Sequence, residues 1–368
     1  MIPVNQPLFI SDEEKYLAEC IKTGWISSEG PFVKEFENNF ASYIGQEYGV
    51  AVSSGTAALE VAMGVIGIKP GDEVIMPSFT IMSCASAVTT YGGVPVFVDA
   101  EPETWNMDVT KIEEKITDKT KAIMPVHIYG HPCDMDVILD IAKKHNLLVV
   151  EDAAEIHGGE YKGKKCGSFG DISCFSFYAN KIISTGEGGM ILTNNKEYAE
   201  KAKKLRNLGF EKKKRFHHNE LGRNYRLTNL QAAIGVAQLK NIDKLLEIKI
   251  NNAKRYTEEL VGVKGLQLPK EKEWAKNVYW MYGIVLDEST GYDAKTFALK
   301  LAEEGIDTRP FFHSLDDQPA LRCLGIKCQN DCSVAERIGR QGLYLPSGLG
   351  LKNDEISVVC NSIKKLLI

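Results

Sequence analysis

The chain has 368 residues and a formal net charge of −5, with 44% hydrophobic and 25% charged residues. This composition is typical of a globular protein, and the length allows one large domain and one smaller domain. A net negative charge gives no general attraction to nucleic acid or to an anionic membrane. The sequence has no long uncharged apolar run, and its first residues lack the basic and apolar regions of a secretion signal. We therefore expect a cytoplasmic protein that binds neither nucleic acid nor membranes.

The cysteines argue against a disulfide framework. Nine cysteines, an odd number, lie mostly within apolar segments, which favours free thiols in a reducing compartment. Cys323, Cys328 and Cys332 are close enough in sequence to raise the alternative of a metal site. Their spacings match no common zinc pattern and no obvious fourth ligand follows, so we predict no metal.

Strand and helix patterns alternate from Tyr48 to Asn194. Apolar, β-branched runs predict strands, and the periodic segments between them predict helices. Near-continuous apolar strands separated by helices indicate an α/β fold with a mostly parallel sheet covered on both faces. The predicted strands are 48–53, 73–77, 94–98, 122–128, 147–150, 172–177 and 190–193, and the predicted helices are 13–22, 57–66, 83–91 and 136–145.

The remaining chain predicts a smaller α+β domain. Helical periodicity over residues 227–246 predicts a helix that leads into it, followed by a strand at 279–286, a helix at 295–304 and a closing helix from Asp354. We place the boundary so that 1–245 is the large domain and 246–368 the small one. The basic stretch 212–215 suits a solvated surface loop, although a phosphate-bearing ligand could use it.

A single lysine is the first feature that suggests chemistry. Lys181 follows the apolar, aromatic run 172–178 and precedes the glycines of 186–189, and it is the only cation in this stretch. Burial disfavours an ammonium, lowers its pKa and makes it a usable amine nucleophile. The stretch suggests a lysine that forms a Schiff base with pyridoxal phosphate (PLP). A lysine that extends from a strand end into solvent is the alternative.

Further polar groups are expected at the same edge of the sheet, because ligands bind at the carboxyl ends of strands in open α/β folds. Ser54-Gly55-Thr56 lies at a strand-to-helix junction, which binds anions or simply caps the helix. Asp152 ends an apolar strand, and a buried carboxylate there needs a partner such as a protonated pyridine nitrogen or a protein cation. Ser176 could bond to a phosphate, and Arg226 would suit a phosphate or a carboxylate. No Walker A lysine or dinucleotide fingerprint accompanies these glycines, which disfavours nucleoside triphosphates and NAD.

The order of these groups resembles that in fold-type I PLP enzymes and, more narrowly, in the DegT-type sugar-nucleotide aminotransferases. Segments 23–28, 129–135 and 175–181 are most similar to members that convert GDP-4-keto-6-deoxy-D-mannose to GDP-perosamine. The shared motifs span nearly the whole chain and are Trp25-Ile-Ser-Ser, Ser54-Gly-Thr-Ala-Ala-Leu59, Gly71-Asp-Glu-Val74, Pro125-Val-His-Ile-Tyr-Gly130, Glu151-Asp-Ala-Ala154, Lys181 with Gly186-Glu-Gly-Gly189, Asn224-Tyr-Arg-Leu-Thr-Asn229 and Arg309-Pro310.

The resemblance implies a fold, a reaction and an assembly. It implies a large domain with a seven-stranded, mostly parallel sheet and a small C-terminal α+β domain. It implies a PLP-dependent aminotransferase that takes an amino group from L-glutamate and gives it to a nucleotide-linked 4-keto-6-deoxyhexose, as in the biosynthesis of lipopolysaccharide O-antigens. It also implies an obligate homodimer with its active sites at the interface.

The resemblance assigns roles to individual residues. Lys181 would bond to PLP and later move a proton, Asp152 would pair with the pyridine nitrogen, and Glu155 would lie near the cofactor hydroxyl. The implied phosphate ligands are Gly55, Thr56 and Ser176, with Asn224 of the partner subunit. The candidates for the sugar nucleotide are Trp25, His127, Arg226 and His313, whereas His157 is expected to pack in the interior or behind the site.

Two positions depart from the family pattern. Ile81 stands where many relatives carry an aromatic residue that stacks on the cofactor ring, and His313-Ser-Leu-Asp316 replaces a His-Pro-Met-His segment. The second departure bears on the nucleotide sugar more than on the chemistry.

Three alternatives remain at this point. One is the same reaction on a dTDP- or UDP-linked 4-keto-6-deoxyglucose, which would give a viosamine. Another is a sugar 3-dehydratase, which carries histidine at the lysine position, so that Lys181 argues against it. The last is a PLP-binding regulatory homologue without turnover, which would normally carry a DNA-binding extension or have lost the lysine or the aspartate.

Overall fold

A computed structural model describes residues 1–211, 216–326 and 331–367. The basic stretch 212–215 and Cys328 of the possible metal cluster lie outside these residues. Within the described ranges, no group of three or more His, Cys, Asp or Glu side chains is arranged to hold a metal ion. In the same part of the chain, no helix is long and apolar enough to cross a membrane.

The helices and strands follow one another in the alternation expected of an α/β protein. The strands are β1 (Tyr48–Val52), β2 (Glu73–Pro77), β3 (Val94–Val98), β4 (Thr120–Ile123), β5 (Leu148–Asp152), β6 (Glu160–Tyr161), β7 (Lys164–Lys165), β8 (Ile172–Ser176), β9 (Gly189–Thr193), β10 (Leu266–Gln267), β11 (Ala275–Lys276), β12 (Tyr282–Leu286), β13 (Arg309–Pro310) and β14 (Gly342–Leu345). The helices are α1 (Glu13–Thr23), α2 (Pro31–Ile44), α3 (Gly55–Ile66), α4 (Met82–Thr89), α5 (Met135–His145), α6 (Lys196–Leu205), α7 (Asn229–Leu239), α8 (Ile242–Leu260), α9 (Ala294–Glu303), α10 (Pro319–Cys323), α11 (Ser333–Gln341) and α12 (Asn353–Leu367).

A seven-stranded sheet forms the centre of the N-terminal part, in the order β1-β9-β8-β5-β4-β2-β3. Neighbouring strands are parallel except where β9 pairs with β1 and with β8. Strands β8 and β9 are buried along their whole length, which explains their continuous apolar sequence. The prediction of a mostly parallel, helix-covered sheet is therefore confirmed.

The strand predicted at 122–128 is shorter in the structure. Strand β4 ends at Ile123, and a short 3₁₀ turn follows at Ile128–Gly130, with Tyr129 in the left-handed region at φ 51°. Pro125 interrupts the ladder because proline has no N–H to donate. The extended residues in between still reach β5, where Asp152 N donates to Pro125 O at 2.9 Å.

The single helix predicted over 227–246 is two helices. Thr228 and Gln231 form a capping box at the start of α7, which ends at Leu239 before α8 begins at Ile242. At the break, the side-chain amide of Asn241 donates to Ala237 O, and its backbone N–H bonds to Gln238 O. An asparagine side chain thus takes the carbonyl that would continue the helix.

A second sheet lies in the C-terminal part, in the antiparallel order β10-β12-β14-β13. Its apolar face packs with helices α8, α9 and α12 around Tyr256, Ile284 and Phe297. Helix α8 runs across the predicted boundary between residues 245 and 246, so the division into domains stays a prediction.

Candidate active site

A cavity of about 370 Å³ lies at the carboxyl ends of β5 and β8, beside the first turn of α3. Residues from the large sheet and from the C-terminal sheet contribute to its wall. It brings together six residues that the resemblance assigns to the cofactor, namely Gly55, Thr56, Asp152, Glu155, Ser176 and Lys181.

Lys181 holds its amine inside this cavity. Its Nζ atom lies 3.8 Å from Oε1 of Glu155 and 3.4 Å from the centroid of the Trp280 ring, and its side chain is 9% exposed. Burial lowers the pKa of Lys181, and the charges of Glu155 and Asp152 oppose that shift. The structure therefore shows a buried amine rather than a lysine that extends into solvent.

Glu155 is the other half of this buried pair. Burial raises its pKa, against the opposing effect of the Lys181 charge and of a hydrogen bond in which Tyr129 N donates to Oε2 at 2.8 Å. Carboxyl and amine are therefore both shifted toward their neutral forms. A proton can move between such groups at little cost.

Asp152 is a buried carboxylate in the wall of the same cavity. Its residue is 2% exposed, Oδ1 accepts from Ala154 N at 3.0 Å, and Oδ2 accepts from Cys84 Sγ at 3.1 Å. Among the described residues no lysine, arginine or histidine forms an ion pair with it. Burial raises the pKa of Asp152, although hydrogen bonds from Cys84 and Ala154 and the charge of Lys181 oppose that rise. A protonated pyridine nitrogen fits this carboxylate.

The opposite end of the cavity suits a phosphate. Ser54 accepts from Ala57 N at 3.1 Å and caps α3, so the positive end of a twelve-residue helix faces the cavity. Thr56 Oγ1 and Ser83 Oγ lie 2.8 Å apart. An added Cβ on Gly55 would lie 2.8 Å from the Cβ of Ser176, so glycine is what allows the helix and the strand end to come this close.

Taken together, the cavity fits PLP. It combines an anion site, a buried amine and a carboxylate that forms no ion pair with any residue the structure describes. Ile81 lines the same cavity and is 45% exposed, so an aliphatic side chain stands where an aromatic one was expected. Packing of Ile81 on the cofactor ring remains a prediction.

The candidates for the sugar nucleotide lie elsewhere in this chain. His127 is fully buried, with Nε2 3.1 Å from Glu151 Oε2 and Nδ1 accepting from Cys133 N at 3.0 Å. Both ring nitrogens are thus occupied within the protein, which does not support the predicted contact with a ligand. Arg226 lines a different cavity, of about 660 Å³, and His313 another, of about 970 Å³.

Two further candidates are on the surface. Asn224 and Trp25 are exposed, and neither lines the cavity of its own chain. The assignment of Asn224 to the active site of a partner subunit therefore stays a prediction. His157 packs among the rings of Phe175 and Phe177 in the interior, as expected.

Sequence reasoning missed several residues of the cavity wall. Ser83 lines the cavity and Cys84 bonds to Asp152 behind it. Both lie in the first turn of α4, after the carboxyl end of β2, so the rule that located Gly55 could have found them. Trp280 and Tyr344 belong to the C-terminal part, and no spacing in the sequence relates them to Lys181. The remaining wall residues that were not predicted include Thr80, Tyr178, Asn180, Glu187 and Phe312.

Comparisons with known proteins agree with this site. The model of the DegT/DnrJ/EryC1/StrS aminotransferase family matches residues 8–364. A GDP-perosamine synthase from Caulobacter vibrioides is 43% identical over 368 residues, covering 100% of this chain and 98% of that protein. A GDP-perosamine synthase from Escherichia coli O157:H7 is 42% identical over 364 residues, covering 99% of this chain and 98% of that protein.

A solved structure extends the likeness to the fold and the cofactor. The PLP form of a proposed sugar aminotransferase from Streptococcus pneumoniae superposes with a TM-score of 0.92 at 27% identity, covering 99% of this chain and 98% of that chain. The resemblance noted in the sequence is thereby confirmed. The chain belongs to the DegT/DnrJ/EryC1/StrS aminotransferase family, whose members use PLP as their cofactor.

Proposed function

We propose that this enzyme transfers the amino group of L-glutamate to C4 of GDP-4-keto-6-deoxy-D-mannose and so makes GDP-perosamine. Two relatives with that name match the whole chain at 43% and 42% identity, which supports the choice of nucleotide sugar. The observation that carries the reaction type is the buried amine of Lys181, which shares one cavity with Asp152 and Glu155.

In the proposed site, this chain's residues hold PLP at three points. Asp152 would lie against the pyridine nitrogen and keep its proton in place, and Glu155 would lie near the ring hydroxyl. The first turn of α3, with Thr56, and Ser176 would bind the phosphate. When bound, PLP supplies an electron sink for the charge that develops at the substrate carbon, and it carries the amino group from donor to acceptor.

Lys181 is the proposed acid and base. Burial lowers the pKa of its amine, so a larger fraction is neutral and able to accept a proton than in a solvated lysine. Once protonated, the ammonium is stabilised by Glu155 at 3.8 Å and by the face of the Trp280 ring. The same atom can then return the proton to a neighbouring carbon.

We also propose a cytoplasmic homodimer in which a second copy completes each active site. Two large side chains of the cavity wall, Ile81 and Tyr178, are about half exposed, and so is Trp25 on the surface. A partner subunit that covered them would remove apolar surface from water and bring its own polar groups to the cavity. Free cysteines, mostly buried, support a reducing compartment.

A panel of GDP-, dTDP- and UDP-linked 4-keto-6-deoxyhexoses tests the substrate, with the amino product identified by mass spectrometry. We expect product from the GDP sugar with L-glutamate, and preference for a dTDP or UDP sugar would replace the proposed substrate. Lys181→Ala should lose both turnover and the absorbance of protein-bound PLP, whereas the control Lys201→Ala should keep them. Wild-type protein that acquires no such absorbance with PLP would refute the proposal.

Mixed assemblies test the shared site. Lys181→Ala chains alone should show no turnover, and Asn224→Ala chains alone should be weakly active. If Asn224 acts in the partner's site, refolding the two together produces some dimers with one complete site, and activity partly returns. Activity that stays at the level of the separate variants would refute this arrangement.

A further inference from the structure

The indole of Trp280 covers the amine of Lys181. Nζ of Lys181 lies 3.4 Å from the centroid of the Trp280 ring, and the tryptophan is almost completely buried. Trp280 Nε1 donates to the backbone carbonyl of Asn180 at 2.9 Å, one residue before the lysine. The ring is thus bonded to the segment that carries Lys181 and presents its face to the amine.

The main chain of Trp280 is held from the other side by a second buried lysine. Lys249 on α8 is 3% exposed, and its Nζ donates to Trp280 O at 2.6 Å and also to Ser347 O. Among the described residues no carboxylate forms an ion pair with it. A buried ammonium bonded only to carbonyls is costly, and burial lowers the pKa of Lys249 to about 7.

Two more side chains of helix α8, besides Lys249, form hydrogen bonds with the segment around Ser347. Tyr256 OH donates to Pro346 O at 3.0 Å, and Asn252 Nδ2 donates to Gly348 O at 3.4 Å. Ser347 Oγ in turn accepts from Tyr282 N at 3.0 Å, at the start of β12. Lys249 therefore joins the fixed segment around Ser347 to the main chain of Trp280, whose ring covers the amine of Lys181.

We propose that Trp280 positions the amine of Lys181 whenever that amine is not bonded to the cofactor, and that Lys249 holds Trp280 in this place. The inference rests on the proposed role of Lys181 in binding PLP and does not depend on which nucleotide sugar is the substrate. An amine that leaves the cofactor would otherwise be free to rotate on a flexible side chain. The ring face keeps it within the cavity and favours its protonated form.

Other groups also act on the Lys181 amine, and a test has to separate them. The carboxylates that face it are those of Glu155 and Asp152. The other titratable groups around this pair include Cys84, Tyr129, His157 and Tyr344. All of these stay in place in a variant of Trp280. A change in the titration of the amine then reports the loss of the ring face.

Two effects of the ring can be measured, namely the orientation of the Lys181 amine and the stabilisation of its protonated form. The assay follows by absorbance, at a series of pH values, the rate at which PLP-free full-length protein captures PLP. The wild-type rate should rise with pH as the amine loses its proton. In Trp280→Leu we expect the plateau rate to fall roughly tenfold because the amine is no longer oriented. The midpoint should move down by roughly half to one pH unit because the protonated amine loses the ring face.

Matched variants separate position from packing. Trp280→Phe keeps a smaller aromatic ring, so the midpoint of its pH curve should also move down, but by less than in Trp280→Leu. If Trp280→Leu does not fold, Trp280→Phe is the variant that tests the role of the ring. Trp274→Leu removes another indole, one that packs on Tyr161 with centroids 5.0 Å apart, and should give the wild-type curve. Lys249→Met should lower the plateau and the midpoint, whereas Lys201→Met, which removes a hydrogen bond to Val65 O, should not.

The outcomes are distinct. If a folded Trp280 variant has the same midpoint pH and plateau rate as the wild-type protein, the proposed role of Trp280 is wrong. If folded Lys249→Met gives the wild-type curve, the proposed role of Lys249 is wrong. Failure of the wild-type protein to capture PLP would instead count against the proposed function. No sugar nucleotide enters the assay, so a wrong substrate leaves this test unaffected.

Discussion

The Sγ atom of Cys84 lies 3.1 Å from Oδ2 of Asp152, and both side chains are buried. A thiol is a weak donor, so it satisfies the carboxylate only in part. Burial raises the pKa of Asp152 in spite of this bond. The carboxylate therefore remains a strong acceptor at the place where we propose that a protonated pyridine nitrogen binds.

Removal of the thiol should destabilise the PLP-free protein more than the PLP-bound one. In Cys84→Ala, Oδ2 of Asp152 loses its donor, and the free energy of unfolding should fall by about 1–3 kcal/mol. Bound PLP would supply a new partner for that oxygen and narrow the difference from wild type. Denaturant unfolding with and without PLP measures both values.

Cys166→Ala is the control for this prediction, because it removes a buried thiol that does not contact Asp152. Its loss of stability should be the same with and without PLP. If the two variants respond equally to the cofactor, the thiol is not the donor that PLP replaces.

Asp152→Asn should separate activity from stability. We expect the aminotransferase rate to fall by roughly 100- to 1,000-fold, because the amide carries no charge to hold the proton of the pyridine nitrogen. In the PLP-free protein burial raises the folded-state pKa of Asp152 above its unfolded value, so protonation of Asp152 stabilises the folded protein. This stability is present at low pH and is lost as pH rises through the folded-state pKa. The variant cannot ionise and should lose less stability over the same rise in pH, as measured by PLP-free unfolding from pH 4 upward. Parallel pH curves for the two proteins would contradict this prediction.

Much of the site could be predicted because it lies at one edge of a parallel sheet. Asp152 and Ser176 end neighbouring strands, and Gly55 opens the helix after β1, so the strand pattern alone brings them together. The same reasoning failed for His127. Alternate residues of a strand point to opposite faces, so Asp152 lines the cavity while Glu151 points away from it and binds His127 in the interior.

Other parts of the site depend on long-range packing. Trp280 and Tyr344 reach the cavity from the C-terminal part of the chain, and Lys249 acts on Trp280 through a backbone carbonyl. No local pattern of hydrophobicity or charge encodes such contacts. The break between α7 and α8 was missed for a related reason, since it depends on one side-chain hydrogen bond of Asn241 within an otherwise helical pattern.

The carboxylate of Glu151 should be essential for stability. It accepts hydrogen bonds from the backbone N–H groups of Gly167, Phe169 and Gly170 at 2.6–2.7 Å, and His127 lies at 3.1 Å. Burial alone would raise the pKa of Glu151, but these hydrogen bonds outweigh it and lower the pKa. In Glu151→Gln the side-chain NH₂ group takes the place of one oxygen and faces backbone N–H donors, which then lack an acceptor. The free energy of unfolding should therefore fall by about 3 kcal/mol.

The pH dependence of unfolding tests the same carboxylate. A lowered folded-state pKa contributes stability that is present above the unfolded pKa and is lost as pH falls through the folded pKa. The wild-type protein should therefore lose more stability than Glu151→Gln on going from pH 6 to acid pH. Glu114→Gln, which changes an exposed carboxylate, should follow the wild-type curve. A Glu151 variant as stable as wild type at neutral pH would refute this account.

Gly55→Ala should weaken PLP binding through a contact between helix and strand. The new Cβ would lie 2.8 Å from the Cβ of Ser176, so either the first turn of α3 or the end of β8 has to move. Both segments are proposed to bind the phosphate, so we expect the Kd for PLP to rise roughly 10- to 100-fold with a loss of about 1–3 kcal/mol in stability. Equilibrium titration with PLP and denaturant unfolding measure the two effects.

Two further variants identify the cause. Gly350→Ala adds a methyl group with no other atom within 4 Å and should change neither quantity. The double variant Gly55→Ala, Ser176→Gly removes the close contact but also removes the serine hydroxyl. Stability should therefore partly return while the affinity for PLP stays low, because the phosphate still lacks a ligand. If Gly55→Ala alone binds PLP as tightly as wild type, this helix terminus is not the phosphate site.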